Sequence, residues 1–481
     1  MLFNSLPFFL FLAATLVVFV LLPRCVRWFA LLVASIVFYA SFGVANLAFL
    51  FAVALVAWGA GLLTASDRQG VRKAALAIGL GLVLGGLAVL KFYDFVADEI
   101  EPHLGIVLPR LGMTAPVGFS FYAFMAAAYL IDTYRGTCAP ERDAGKLALY
   151  ISWFPKILAG PIERAEPFLK QVPARLRFDP VLASTGLQLI VWGLFKKVVI
   201  ADNLAPVVDG AFRIAPYASP MELLIAVYFF AFQIYCDFSG YSDIAIGLSL
   251  LFGIRLMENF RRPYLAVTTA EFWSARWHIS LGHWFRDYLY IPLGGSRTGL
   301  LRRYGNVMAV FVVSGLWHAG LGYGVGWTFL AWGALNGFYQ WAGLATRGLS
   351  RRLGERLPGI AASGWLRVLR ILLTFHLILV SWIFFRAETI PQALTVVRRI
   401  WAALPGLPAL APRYPFTADH AIGAALILLL LAVEILDERR PIHERLAAAP
   451  VALRWSAWYA CIFGLVLLGQ WQAQTFIYMQ F

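Results

Sequence analysis

Charge is what this sequence has least of. Only 14% of its 481 residues are Asp, Glu, Lys or Arg, against about 25% in a soluble domain. The charges it has are clustered. None falls between Trp28 and Ser66, between Tyr304 and Thr346, or between Trp455 and Phe481. A hydrocarbon core about 30 Å thick takes roughly 20 apolar residues per helix, so each of the first two blanks has room for two helices. Composition agrees: 61% of residues are hydrophobic and the mean hydropathy is +0.73. This is the sequence of an all-α, polytopic membrane protein.

Other absences narrow the function. Cys25, Cys138, Cys236 and Cys461 stand far apart, which suggests neither a metal site nor a disulfide framework; they read as packing residues. There is no P-loop, GxSxG or HExxH, so an ATPase, a serine hydrolase and a zinc protease are disfavoured. No internal repeat supports an inverted-repeat transporter. The first apolar run has no basic residue before it and no small-x-small site after it, so it is expected to remain as a membrane helix. Nothing resembles a separate soluble domain, and residues 1–481 are expected to form one membrane-embedded domain.

The net charge is +14. Because the basic residues sit at the ends of apolar runs, the expected partner is membrane lipid and not nucleic acid. Those runs lie near 3–22, 28–43, 46–65, 74–91, 115–132, 183–200, 222–236, 241–254, 305–317, 325–345, 370–386, 421–436 and 455–470. About eleven spanning helices are expected, with the shorter runs re-entrant. Arg24 and Arg27 precede a helix pair that ends at Arg68, Arg72 and Lys73, which puts both clusters on the cytoplasmic side and the N-terminus outside. Segments 160–180, 255–303, 347–368 and 387–420 are expected to be exposed.

Ionisable residues within membrane sequence are costly and usually functional. His318, in VMAVFVVSGLWHAG, is isolated in such a stretch. It suits proton transfer near neutral pH, or a hydrogen bond that packs two helices. Asp237 and Asp243, in FQIYCDFSGYSDIAIGLSLLFGI, need partners at that depth. Arg255, Arg261, Arg262 and the arginines of 276–295 are candidates, and either structural pairing or a site role fits. In RWHISLGHWFRDYLYIPLGG (276–295), His278 and His283 would diverge by about 140° on a helix, which excludes a two-histidine metal site. His283 and Asp287 have the spacing to pair. The segment also reads as an interfacial amphipathic helix, rich in tryptophan and ended by Pro292. FPKILAGPIERAEPF (154–168) has helix breakers amid apolar residues and reads as a re-entrant turn lining a cavity.

Together these motifs resemble the membrane-bound O-acyltransferase family. The resemblance is carried by EFWSARWHISLGHWFRDYLYIPLGG, SGLWHAG and GWTFLAWGALNG. It is supported by PVGFSFYAFMAAAYLIDTYRG, FPKILAGPIERAEPF, LFKKVVIADNLA, FQIYCDFSGYSDIAIGLSLLFGI, FFRAETIPQA and FIYMQF. It covers nearly the whole chain and looks most like the bacterial alginate O-acetyltransferase branch. It implies a ring of spanning and re-entrant helices around a funnel or tunnel, with His318 catalytic and His278 as the second signature histidine. The expected lining is Trp277, Arg286, Asp287, Trp317, Asp237, Ser239 and Tyr241, with no metal. It implies no bound cofactor; the donor would be acetyl-CoA or another acyl thioester. The implied partners are periplasmic acetyltransferase proteins and a polysaccharide acceptor such as alginate, and the implied location is the inner membrane. Three departures stand out. Ala275 replaces the first of two arginines usual before the signature histidine, His283 replaces a small polar residue, and the spacer between His318 and GWTF is long. D-alanyl transfer to teichoic acid on the same fold and a non-catalytic transporter of acyl donors are the alternatives.

Overall fold

The computed structural model describes all residues except 114, 173–175, 298, 320–325, 441, 472–475 and 478–481. Among those described, the regular structure is entirely helical, as lipid requires of a chain whose backbone polar groups must be satisfied within each segment. Seven helices are long and apolar enough to cross a membrane. The chain groups into two compact units. One comprises Met1–Leu194, Tyr241–Glu258 and Trp471–Phe481; the other comprises Phe195–Gly240 and Asn259–Gln470.

In the first unit the helices Val44–Thr64 and Gln69–Leu104 pack with Phe119–Arg135. Phe119–Arg135 is the core element, with an unbroken buried run from Phe119 to Leu130. The breakers of FPKILAGPIER have the effect expected of them. Residues 153–163 run as irregular chain buried throughout. Lys156 lies fully buried there, its ammonium 4.2 Å from the Tyr150 ring centroid and 4.9 Å from that of Phe168.

In the second unit the long helices are Leu300–His318, Trp327–Arg356, Gly364–Arg386, Ala418–Arg439 and Val451–Leu468. Leu300–His318 and Trp327–Arg356 pair antiparallel along their length. A Cβ at Gly315 would lie 2.4 Å from the Phe329 carbonyl oxygen, and one at Gly333 would lie 2.4 Å from that of Phe311. Glycine lets the two backbones touch, as is common between helices in lipid. At the other end Trp341 Nε1 donates to the Tyr304 carbonyl at 2.8 Å.

Three sequence expectations are corrected. The runs 222–236 and 241–254 form one continuous helix, Pro220–Leu251, because buried neighbours tolerate Ser239 and Gly240 inside it. Segment 255–303, expected to be exposed, buries Asn259, Tyr264, Trp277, His278, Leu281 and Phe285, whereas 387–420 is exposed over most of its length although it carries the helix Ile390–Ala403. Segment 276–295 is not one helix. A π-helical turn, Phe272–Arg276, breaks at Trp277–His278, the helix Ile279–Phe285 follows, and Arg286–Tyr290 is π-helical again.

Candidate functional site

His318 is the last residue of the helix Leu300–His318 and is 4% exposed. Its Nδ1 lies 2.7 Å from the carbonyl oxygen of Ser314, one turn back. A carbonyl only accepts, so Nδ1 carries the proton in this contact, and in a neutral ring the basic lone pair is then on Nε2. The tautomer is set by the helix itself. Aromatic faces wall the ring: Trp317 at 4.8 Å between centroids, Trp332 at 5.1 Å and Phe385 at 5.6 Å.

His278 is held differently. It is 3% exposed and has left-handed backbone angles, φ 44° and ψ 54°. For a residue with a side chain this costs of order 1–3 kcal/mol, and such strain gathers at functional sites. It lies outside the seven apolar spans. Since His278 leaves the helical path, the helical-wheel argument that separated it from His283 does not apply to it. Its ring meets Phe238 edge-on at 4.7 Å, with Trp317 at 6.0 Å and Phe260 at 6.5 Å. Burial first, and the neighbouring His318 second, hold its pKa well below the usual 6.5. The neutral imidazole is therefore the form present near neutral pH.

Both histidines line one cavity of about 600 Å³, which also takes in Trp277, Ser314, Arg286, Arg303, Gln340 and Arg347. Arg303 stands fifteen residues before His318 on the same helix, and at 1.5 Å per residue that separation is about 22 Å. Arg347 belongs to the antiparallel partner helix, toward the same end as Arg303. The cavity thus runs from an end lined by Arg303 and Arg347 to two buried imidazoles with aromatic walls. Such a shape suits a long ligand whose anionic groups lie far from its reactive atom.

The remaining sequence candidates fall into different places. Trp277 is buried, stacked on Phe272 at 5.5 Å and against Trp382 at 4.9 Å. Trp317 lies between the two histidines. Arg286 lines the cavity, and its Nε donates to Asp287 Oδ1 at 2.8 Å. Asp237 is 2.7 Å from Lys197 Nζ, which also reaches Asp202 at 2.8 Å. The expected partners of Asp237 were arginines, yet it takes a lysine from the π-helical turn Phe195–Ala201. Arg262 pairs instead with Asp437 and Glu438. Ser239 accepts from Lys196 Nζ at 2.9 Å. Of the residues expected to line the site, Asp237, Ser239, Tyr241, Asp287 and Trp317 are not among those that line this cavity. Tyr241 belongs to the core of the first unit, stacked on Phe3 at 4.9 Å. His283 is half-buried on the helix Ile279–Phe285. The long spacer after His318 falls on residues 320–325, outside the described residues, as do the last four residues of FIYMQF.

Sequence reasoning missed Arg303, Arg347, Gln340 and Ser314. The first three read as ordinary helix-end or helix-surface residues, and only the antiparallel pairing gathers them.

Comparison with known proteins bears on the same region. The profile of the membrane-bound O-acyltransferase family matches residues 142–384, a span that contains every cavity residue named above. The chain is 36% identical over 414 residues to a probable alginate O-acetylase AlgI of Azotobacter vinelandii, covering 84% of this chain and 78% of that one. It is 33% identical over 397 residues to the peptidoglycan O-acetyltransferase of Helicobacter pylori, covering 76% and 72%. To the teichoic acid D-alanyltransferase of Bacillus subtilis it is 24% identical over 311 residues, covering 62% and 76%.

Proposed function

Because this chain belongs to the membrane-bound O-acyltransferase family, we propose that it takes an acetyl group from a cytoplasmic thioester and delivers it for O-acetylation of an exported polysaccharide. The donor is acetyl-CoA or a chemically equivalent thioester. Its anionic groups lie at the end marked by Arg303 and Arg347, and its thioester lies beside His318. Arg302, Arg351, Arg352 and Arg356 stand near that end in sequence, and basic clusters favour the cytoplasm. On this reading the protein resides in the inner membrane. An alginate-type polymer is the acceptor, reached directly or through periplasmic acetyltransferase partners.

In the reaction, Nε2 of His318 takes the proton from the acceptor hydroxyl as its oxygen attacks the thioester carbonyl carbon. The carbon–sulfur bond then breaks, and the proton passes from His318 to the leaving thiolate. Base assistance of this kind contributes typically 10²–10⁴-fold. His278 turns toward the same space and orients the acceptor or the developing oxyanion. One observation carries the reading: a buried histidine, its basic nitrogen selected by its own helix, at the apolar end of a long cavity whose other end is basic.

The test is His318→Ala in cells that make normal amounts of the protein. Loss of polymer acetylation is expected, and intact acetylation sinks the proposal. The relatedness to teichoic acid D-alanyltransferases favours D-alanine as a second reading. Analysis of the acyl groups released from the envelope decides between acetyl and D-alanyl.

A further inference from the structure

A helix leaves its first backbone N–H groups without intrahelical partners, and the N-cap side chain usually accepts from one of them. At the helix Ile279–Phe285 the N-cap is His278, and its side chain makes no such bond. The task passes to Asn259, from a different stretch of chain. The main-chain carbonyl of Asn259 accepts the Ile279 N–H at 3.0 Å. Its carboxamide Oδ1 accepts the Ser280 N–H at 3.2 Å and the Ser280 hydroxyl at 2.9 Å. Asn259 is fully buried.

The surroundings reinforce the same hold. Phe260, the next residue, stacks parallel to the His278 ring at an interplanar angle of 17° and packs on Trp277 at 5.1 Å. Arg261 N–H donates to the Arg276 carbonyl at 2.9 Å. Among the described residues, His278 and Arg262 are the two non-glycines with positive φ, and both lie in this knot. The strain at His278 is local, whereas what fixes it comes from residues 259–261.

We propose that Asn259 is the positioning residue of the transfer site. It caps the Ile279–Phe285 helix in place of His278, so the imidazole is spared that role and is held in its left-handed geometry facing the cavity. The proposal rests on the reading of His278 as the group that orients acceptor or oxyanion. Asn259 touches no substrate and acts only through His278.

The experiment is a double-mutant cycle on the full chain in native membranes with its polysaccharide partners, following labelled acetyl from acetyl-CoA into polymer. Asn259→Ala is expected to lower kcat by about 10- to 100-fold, the scale of a misplacement near 1 Å. KM for acetyl-CoA should stay within about twofold, since donor binding is untouched. Added to His278→Ala, Asn259→Ala should bring no further loss, because the residue it positions is already gone. A general structural role would lower activity in both backgrounds alike. Wild-type kcat in Asn259→Ala, or losses that multiply in the double variant, overturns the proposal. If Asn259→Ala does not accumulate, Ser280→Ala replaces it in the same cycle. That change removes one of the two donors to Oδ1 and should cost about threefold to tenfold, again only while His278 is present. Full activity in His318→Ala or His278→Ala would instead overturn the assigned reaction, which separates the two failures.

Discussion

The two histidines share one cavity and are held by opposite means. His318 is set by its own helix: a carbonyl four residues back selects its tautomer, and a glycine three residues back lets the neighbouring helix close around it. His278 is set by residues distant in sequence, through Asn259, Phe260 and Phe238, on a backbone conformation its own sequence does not favour. The contrast shows two ways of building precision in a membrane enzyme. A proton acceptor can be made from one regular helix end. On the proposed mechanism, the group that orients the acceptor or oxyanion is fixed from several directions at once.

The largest disturbance is expected on the His278 side, where the Asp237 carboxylate lies beside Phe238. Lys197→Met leaves Asp202 and Asp237 without their shared ammonium inside the protein. Losing one member of a buried ionic group costs about 3–5 kcal/mol. Thermal unfolding of the purified protein in detergent should show a clear fall, and an unchanged melting temperature would mean that the triad is not holding that helix.

A smaller effect is expected on the His318 side. Gly315→Ala drives a methyl group against the Phe329 carbonyl, and overpacking of this kind costs about 1–3 kcal/mol. Because His318 lies one turn further on, transfer activity should fall about tenfold with the displacement of its ring. Gly305→Ala, which meets nothing within 4 Å, serves as the control and should behave as wild type.

The smallest effect separates the two sites by pH. Burial depresses the pKa of His278 below 6.5. Above that pH the imidazole is neutral both folded and unfolded, and it adds nothing to the pH dependence. As pH falls below 6.5 the unfolded chain takes up a proton that the folded site refuses, so stability drops by at most about 1.4 kcal/mol per pH unit. Between pH 7 and pH 5 the wild type should therefore lose more melting temperature than His278→Gln. Equal losses would show that this imidazole does not resist protonation.

Much of this architecture was legible in the residues. Long blanks without charge give membrane helices, because hydrocarbon forbids unpaired backbone and penalises charge. The isolation of His318 marked it for the same reason. Asn259 was illegible: ENFRRPY has no periodicity or spacing that points to residue 280. Lys197 was also missed as the partner of Asp237, because a π-helical turn changes which side chains share a face. The break at His278 was hidden too, since RWHISLGHW carries no proline or glycine at that point.

By itself, the sequence determined that this protein is helical and lives in lipid, that a histidine would be buried near residue 318, and which family the chain belongs to. Those properties follow from local composition, the solvent's demand on the backbone and the order of motifs along the chain. Tertiary structure alone decided which arginines line the cavity with the two histidines, and what holds His278. Each of these depends on atoms brought within hydrogen-bonding or packing distance by the fold, and on backbone angles that are stable only once those contacts exist.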